Sequence, residues 1–328
     1  MREGLLGWAT GALVRLDDET PGVIARTLTA APARKQAIFA ALAAAEVKAG
    51  VFGSSDDLVP ASLGEVLRHG RSMDILRHAL GDVPEGLPGL LARVGDRPLP
   101  LAKHYLALRD LAASTDTRGA DALRRGGRIT FRKLEVLAAL DPRWRQFNTL
   151  ERIDTASEAL TFNAAVAFIQ SVNSKATDEA VAEAIAQMRP SSTLARLLDR
   201  LLRRADHLPP HPVRVNDNEL RPLVSPRDLL AAGRKYRNCL AHRLSEVAAG
   251  KIAVADFRGE WLVEFRPMSL GGWMLRDVHG HRNGPVPLSV VAEIEAKCDE
   301  IGIPHIDEAV GGDGWTSYRR LTGELEWG

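Results

Sequence analysis

Cysteine is nearly absent. Cys239 and Cys298 are the only two among 328 residues, too few for a disulfide framework, and both are expected as free thiols in a reducing compartment. Aromatic residues are sparse at 5%, so alanine and the aliphatic side chains must supply most of the core. Neither sign of charge dominates, because 43 Lys and Arg face 42 Asp and Glu. Residues 1–205 hold 28 cations against 24 acids and residues 206–328 hold 15 against 18. Neither half carries the basic excess that would by itself dictate a nucleic-acid partner, although local patches can still take phosphate. Long apolar runs are missing too. The N-terminal "MREGLLGWATGALVRLDDETPG" is apolar only briefly and turns acidic where a cleavage site would need small residues, so a cytoplasmic protein with no membrane partner is expected. No P-loop, no G-x-G-x-x-G after a strand, no H-E-x-x-H and no G-x-S-x-G occurs. The well-marked nucleotide, protease and hydrolase classes lose weight accordingly, and no cofactor is expected.

What is present divides the chain by character. Residues 1–205 read as a helical domain, with alanine- and leucine-rich runs at 3.6-residue spacing broken by Gly, Pro and Asp clusters. "APARKQAIFAALAAAEVKAG" is expected to end on its glycine, "TDEAVAEAIAQM" to start from a Thr177 cap, and "LARLLDRLL" to gather its leucines on one face. A solenoid-like stack is one arrangement of such helices, though no fixed internal period supports a named repeat. "LPPHPVRVNDNELRPL" concentrates Pro, Asn and Asp, so residues 206–224 read as a linker. Residues 225–310 change pattern. Ser225 before Pro226, with Asp228 following, starts a helix that should stop at Gly233, and Asn238 can cap a second helix running to Gly250. "IAVADF", "WLVEF" and "WMLRDVH" then read as three antiparallel strands, and "PLSVVAEIEAKCDEIG" as a closing helix. Residues 311–328 form a tail. The predicted fold class is therefore α+β: a mostly helical N-terminal domain, then a small module with a three-stranded antiparallel sheet flanked by helices.

Over residues 221–303 this succession resembles the PcfJ-like domain of conjugative plasmids and other mobile elements. The matching features are the lead-in "RPLVSPRDLLAAG", the cysteine of "RNCL" after a short basic stretch, the helix end "VAAGK", and Gly280 followed three residues later by Asn283 in "DVHGHRNGP". Where the family often has a histidine before its cysteine this chain has Asn238, and where it often has glutamine near the end of the third strand this chain has Asp277. The resemblance implies a plasmid or mobile-element context with nucleic acid nearby, and no particular reaction.

The candidate site gathers around "KYRNCLAHR". With Asn238 as cap, Cys239 would occupy the first helical position, where the helix dipole and the upstream Lys235 and Arg237 favour a thiolate, and His242 would lie three residues on as its base. A buried, inert cysteine is the plainer alternative. His279 and His281 alternate at the end of the third strand and, with Cys239 and His242, make a ligand set that zinc accepts, though no paired knuckle marks it. Asn283-Gly284 before Pro285 is equally a turn. "RKYR" at 234–237, at the predicted helix N-terminus, suits an anion. "RRGGRITFRK" at 124–133 suits phosphate or an ordinary solvated surface, His305 with Asp307 and Glu308 reads as a solvated loop, and "GWTSYRRLTGELEWG" as a docking tail or a self-packed one. The expected function is thus anion binding, nucleic-acid phosphate first, by Lys235, Arg237, Asn238, His279, His281 and Asn283, with RNA or DNA as partner. An enzyme using Cys239 and His242, or a His/Cys metal nuclease, is the second reading. The third is a non-catalytic scaffold that binds a protein partner through its helical domain.

Overall fold

The computed structural model describes residues 5–52 and 61–305. Among them are sixteen α-helices and one four-stranded antiparallel sheet. The chain divides into two compact units, one of residues 1–167 with 177–197, the other of residues 168–176 with 198–328.

The first unit is helical. Its helix Pro32–Phe52 is packed by the helices Ser72–Leu80, Leu87–Ala92 and Ala102–Ala113. The reason is compositional, because the run from Ala37 to Ala44 is buried at every position. A helix apolar all round must be covered all round, and alanine lets the covering helices come close. This half of the unit therefore surrounds a central helix rather than stacking helix pairs in a solenoid. The helix also continues through Gly50 to Phe52, past the glycine expected to end it. Thr177 does cap its helix, accepting a hydrogen bond from the Ala180 amide at 3.2 Å. The "RRGGRITFRK" cations are largely committed within the unit. Arg124 pairs with Asp121 at 2.6 Å, Arg128 Nε donates to the Val94 carbonyl, and Lys133 bridges the Gly126 carbonyl and Glu151.

The second unit is built on the sheet, in the order β1 (Leu220–Pro222), β2 (Ala253–Phe257), β3 (Trp261–Pro267), β4 (Trp273–His279). The three predicted strands are present. The fourth, β1, lies in the stretch read as a linker, which also buries Val213 and Leu223. Three residues around a proline carry too little periodicity to be seen in sequence; pairing with β2 makes the strand. One sheet face carries Leu220, Ala253, Ala255, Phe257, Val263 and Phe265, packed on Ile294 and Cys298 of the Leu288–Glu300 helix. The other carries Val254 and Leu262 under Leu229, Ala232 and Tyr236 of the Pro226–Tyr236 helix and under Leu240, Leu244 and Val247. Side-chain alternation along each strand feeds two cores at once.

Ser225 caps the Pro226–Tyr236 helix, accepting from the Asp228 amide. The helix runs past Gly233 and ends at Tyr236, with Arg237 as its left-handed cap at φ 50°. Gly233 has a different task from the one expected. A Cβ there would lie 3.0 Å from the Ala241 amide nitrogen and 3.3 Å from the Ala241 side chain, so glycine lets the next turn pack closely instead of stopping the helix. The predicted Asn238–Gly250 helix is two pieces, a 3₁₀ turn Cys239–His242 and the helix Leu244–Ala248. His305, read as solvated, docks on the closing helix with Nε2 3.2 Å from Asp299. Asp307, Glu308 and "GWTSYRRLTGELEWG" lie outside the described residues.

Candidate functional site

The Pro226–Tyr236 helix covers the end of the sheet at which β2 ends and β4 ends, and the His281–Asn283 turn packs against that helix. Cross-strand register defines the row beneath: Arg221 opposes Asp256, Asp256 opposes Leu262, and Leu262 opposes His279. At about 4.8 Å per strand, His279 sits roughly 10 Å from Asp256 on the same face. In the next row Val254 opposes Glu264 and Glu264 opposes Asp277, with a bulge before the Phe265 and Leu275 pair.

Two carboxylates are therefore buried under helices, Asp256 at 3% and Glu264 at 4% exposure. Removing such charges from water costs several kcal/mol each unless they are paired, and both are. Asp256 Oδ1 accepts from the Tyr236 hydroxyl at 2.9 Å, while Oδ2 takes Lys235 Nζ at 3.2 Å and Arg221 at 3.5 Å. Burial together with the adjacent Asp256 carboxylate pushes the Tyr236 phenol far up. Glu264 is held by Arg243 at 2.5 and 3.1 Å and by Arg266 at 3.3 Å, and Arg243 also pairs with Glu246. Burial alone would raise the Glu264 carboxyl. The nearby His279 imidazole and the Arg243 guanidinium outweigh it and bring the group from 4.5 to about 2. His279, 3.7 Å from Glu264 and 3.9 Å from Asp277, is raised in turn by the Glu264 carboxylate.

The expected site residues separate into groups. Lys235 and Arg237 are at the C-terminal end of their helix, not at a helix N-terminus, because the helix outlasts Gly233 by three residues. The helix-dipole argument for an anion there fails, since that end carries the negative pole. Asn238 caps the 3₁₀ turn, accepting from the Leu240 amide at 3.2 Å. Cys239 and His242 are both exposed on that four-residue turn, and no hydrogen bond joins them among the described residues. Cys298 is buried, which pushes its thiol up to about 12. His279 and His281 do not share a strand face, because β4 ends at His279 and the chain turns at Gly280. Among the described residues no group of three or more His, Cys, Asp or Glu could hold a metal ion, so the C-x2-H and H-x-H donors do not make the zinc set. Asn283 takes φ 57° as a turn residue; Gly284, at φ −67°, does not. Gly280 is required by crowding, as a Cβ there would lie 3.0 Å from the Trp261 ring and from the Gly284 carbonyl oxygen.

Sequence reasoning passed over Arg221, Asp256, Arg243, Glu264 and Arg282. A signal existed for two of them: "IAVADF" and "WLVEF" each set one acid inside an otherwise apolar strand, and a lone buried acid demands a cationic partner. Three left-handed residues, Arg237, Arg282 and Asn283, lie in the two segments flanking this end of the sheet. No family model, no curated protein and no solved structure matches the chain, and no helix among the described residues is long and apolar enough to cross a membrane.

Proposed function

We propose that the second unit binds an anionic group, with nucleic-acid phosphate as the ligand class, at the rim formed by the end of the Pro226–Tyr236 helix and the His279–Asn283 segment. The observation that carries this reading is the state of the rim's cations. Arg237, Arg282 and the His281 imidazole are exposed and have no carboxylate partner among the described residues. Arg214, Arg227, Arg234, Lys251 and Arg276 of the same unit share that state, but Arg237 and Arg282 are in addition held in left-handed backbone that ordinary side chains avoid, a cost found where a segment is shaped for a task. Lys235 and His279 stand behind them on buried carboxylates. Asn283 completes the rim as a donor, while Asn238 serves as the cap. The helix-terminus dipole plays no part in the site; the charge comes from side chains. The resemblance of residues 221–303 to the PcfJ-like domain supports a nucleic-acid partner in a plasmid or mobile-element setting, and both belong to the proposal.

The test is fluorescence anisotropy of short labelled RNA and DNA at low salt. Binding should weaken steeply between about 50 and 200 mM salt. Arg237→Ala should weaken it severalfold and lower the slope of log K against log salt by about 1. Absence of binding to both nucleic acids at low salt overturns the reading.

A further inference from the structure

We infer that Arg221 and Lys235 form a two-cation phosphate clamp whose geometry is set by the buried carboxylate of Asp256. Asp256 is then a positioning residue for an anion although it carries the ligand's own sign. This rests on the anion-binding reading above and names the residues that would take the phosphate.

Arg221 reaches Asp256 from β1, directly opposite it in register, and Lys235 reaches it from the last turn of the Pro226–Tyr236 helix. Both converge on the same oxygen, Oδ2, at 3.5 and 3.2 Å, while Oδ1 is occupied by the Tyr236 hydroxyl. One buried carboxylate needs one counter-charge; here two cations share it, and the excess positive charge faces water. The Arg221 and Lys235 side chains remain 63% and 49% exposed. An arginine has five N–H donors and a lysine three, so each keeps donors for a ligand after serving Asp256. A guanidinium fork beside an ammonium matches the several oxygens of a phosphate group. Space is available on the β2–β3 turn, because Gly259 at φ 75° has no side chain and a Cβ there would stand 3.4 Å from Lys235 Nζ. Glu260 is the other acid in this corner; it is exposed, and its field reaches Tyr236. Without Asp256 the two cations would repel each other and fold away into solvent.

The charge effect and the positioning effect of Asp256 have opposite signs, which makes the inference decidable. Asp256→Asn adds one net positive charge. If Asp256 were only a structural acid, polyanion affinity would stay or rise; if it holds the clamp, affinity falls. Anisotropy with the same labelled oligonucleotides on the full chain should show Asp256→Asn binding at least about fivefold more weakly. Arg221→Ala, at a 63% exposed side chain and with Lys235 and Tyr236 still on Asp256, should show a similar loss and a salt slope lower by about 1. Should Asp256→Asn fail to fold, Arg221→Ala and Lys235→Ala carry the test alone. The inference is overturned if Asp256→Asn binds as tightly as the wild type or tighter, or if Arg221→Ala and Lys235→Ala leave binding unchanged while Arg237→Ala weakens it. In that last case the rim reading survives. If the wild-type chain binds neither nucleic acid, both fall.

Discussion

In the helical unit the buried polar side chains among the described residues include no carboxylate, and the Gln36 network is satisfied by its own members and by backbone, whereas Thr149 Oγ1 and both His104 ring nitrogens have no hydrogen-bond partner. Gln36, fully buried, donates to the Gly95 and Arg97 carbonyls at 2.7 and 2.9 Å and accepts from the Tyr105 hydroxyl at 2.7 Å, and that hydroxyl accepts from the Leu99 amide. In the sheet unit the buried polar groups include two carboxylates, each answered by cations from neighbouring elements. The difference matters beyond stability. A neutral network closes on itself and leaves the surface indifferent. A buried carboxylate draws arginine and lysine to the edge of the core and fixes where their charges stand. The second unit therefore has Arg221, Lys235, Arg243 and Arg266 fixed on Asp256 and Glu264, while in the first the named basic cluster is largely spent on its own carbonyls and acids.

The most direct way to break the contrast is to remove a counter-charge. Arg243→Met leaves Glu264 buried with only Arg266 and His279 near it, and stranding one member of a buried pair costs about 3 kcal/mol or more. Hydrogen exchange followed peptide by peptide should show loss of protection across residues 253–279 and none across residues 32–44. The double replacement Arg243→Met with Glu264→Leu should recover much of the loss, because an apolar pair of similar volume needs no compensation. If the single variant leaves the strands protected, the carboxylate is not as desolvated as its 4% exposure states.

Acid offers a second route without mutation. Glu264 is held at about 2 in the fold against an ordinary 4.5. Its contribution is therefore fully present above about pH 4.5 and is lost as pH falls toward 2, amounting to roughly 3 kcal/mol over that window. Protection of residues 253–279 should fall in this range in the wild type and be nearly flat there in the Arg243→Met, Glu264→Leu protein.

These features explain what was legible in the sequence and what was not. The three longer strands and the closing helix could be read because period-2 and period-3.6 patterns are local, and Ser225, Thr177 and Asn238 could be read as caps because a cap depends on only three or four residues. Gly233 and Gly50 were misread because a glycine's purpose depends on its neighbours in space: one makes room for Ala241 and the other sits inside a continuing helix. Because the helix runs past Gly233 to Tyr236, Lys235 and Arg237 stand at its C-terminal end and not at a helix N-terminus. β1 was invisible because three residues owe their conformation to pairing. The acid partners of the cations, Asp256 and Glu264, come from strands some twenty residues away, and no spacing rule within one segment can join them.

On the neutral side of the comparison the effects should be smaller. Tyr105→Phe removes one hydroxyl, leaving Gln36 Oε1 without its donor and the Leu99 amide without its acceptor, both in a buried setting. The cost of two such orphans is about 1–3 kcal/mol. Unfolding of the helical unit at lower urea, by that amount of stability, with the sheet unit unchanged, is the expected result. A cost clearly above about 3 kcal/mol would erase the distinction between neutral and charged networks.

His104 tests the same distinction at its smallest. It is a buried imidazole in the helical unit with neither ring nitrogen hydrogen-bonded and only Glu135, half exposed, at 3.8 Å. Burial lowers its pKa, and the Glu135 carboxylate offsets that only in part. The folded chain thus keeps the ring neutral where the unfolded chain protonates it, so stability is lost as pH falls through about 6.5, with a slope of at most about 1.4 kcal/mol per pH unit. His104→Leu removes both the titration and the two unsatisfied nitrogens. It should leave stability at pH 7.5 unchanged or slightly higher and flatten the decline of the helical unit between pH 7 and 5, measured by urea unfolding at each pH. An unchanged decline would mean that the ring does not contribute to it; a steeper one would mean that Glu135 holds the ring in its charged form, and the helical unit would then have a buried ion pair of the kind the sheet unit uses.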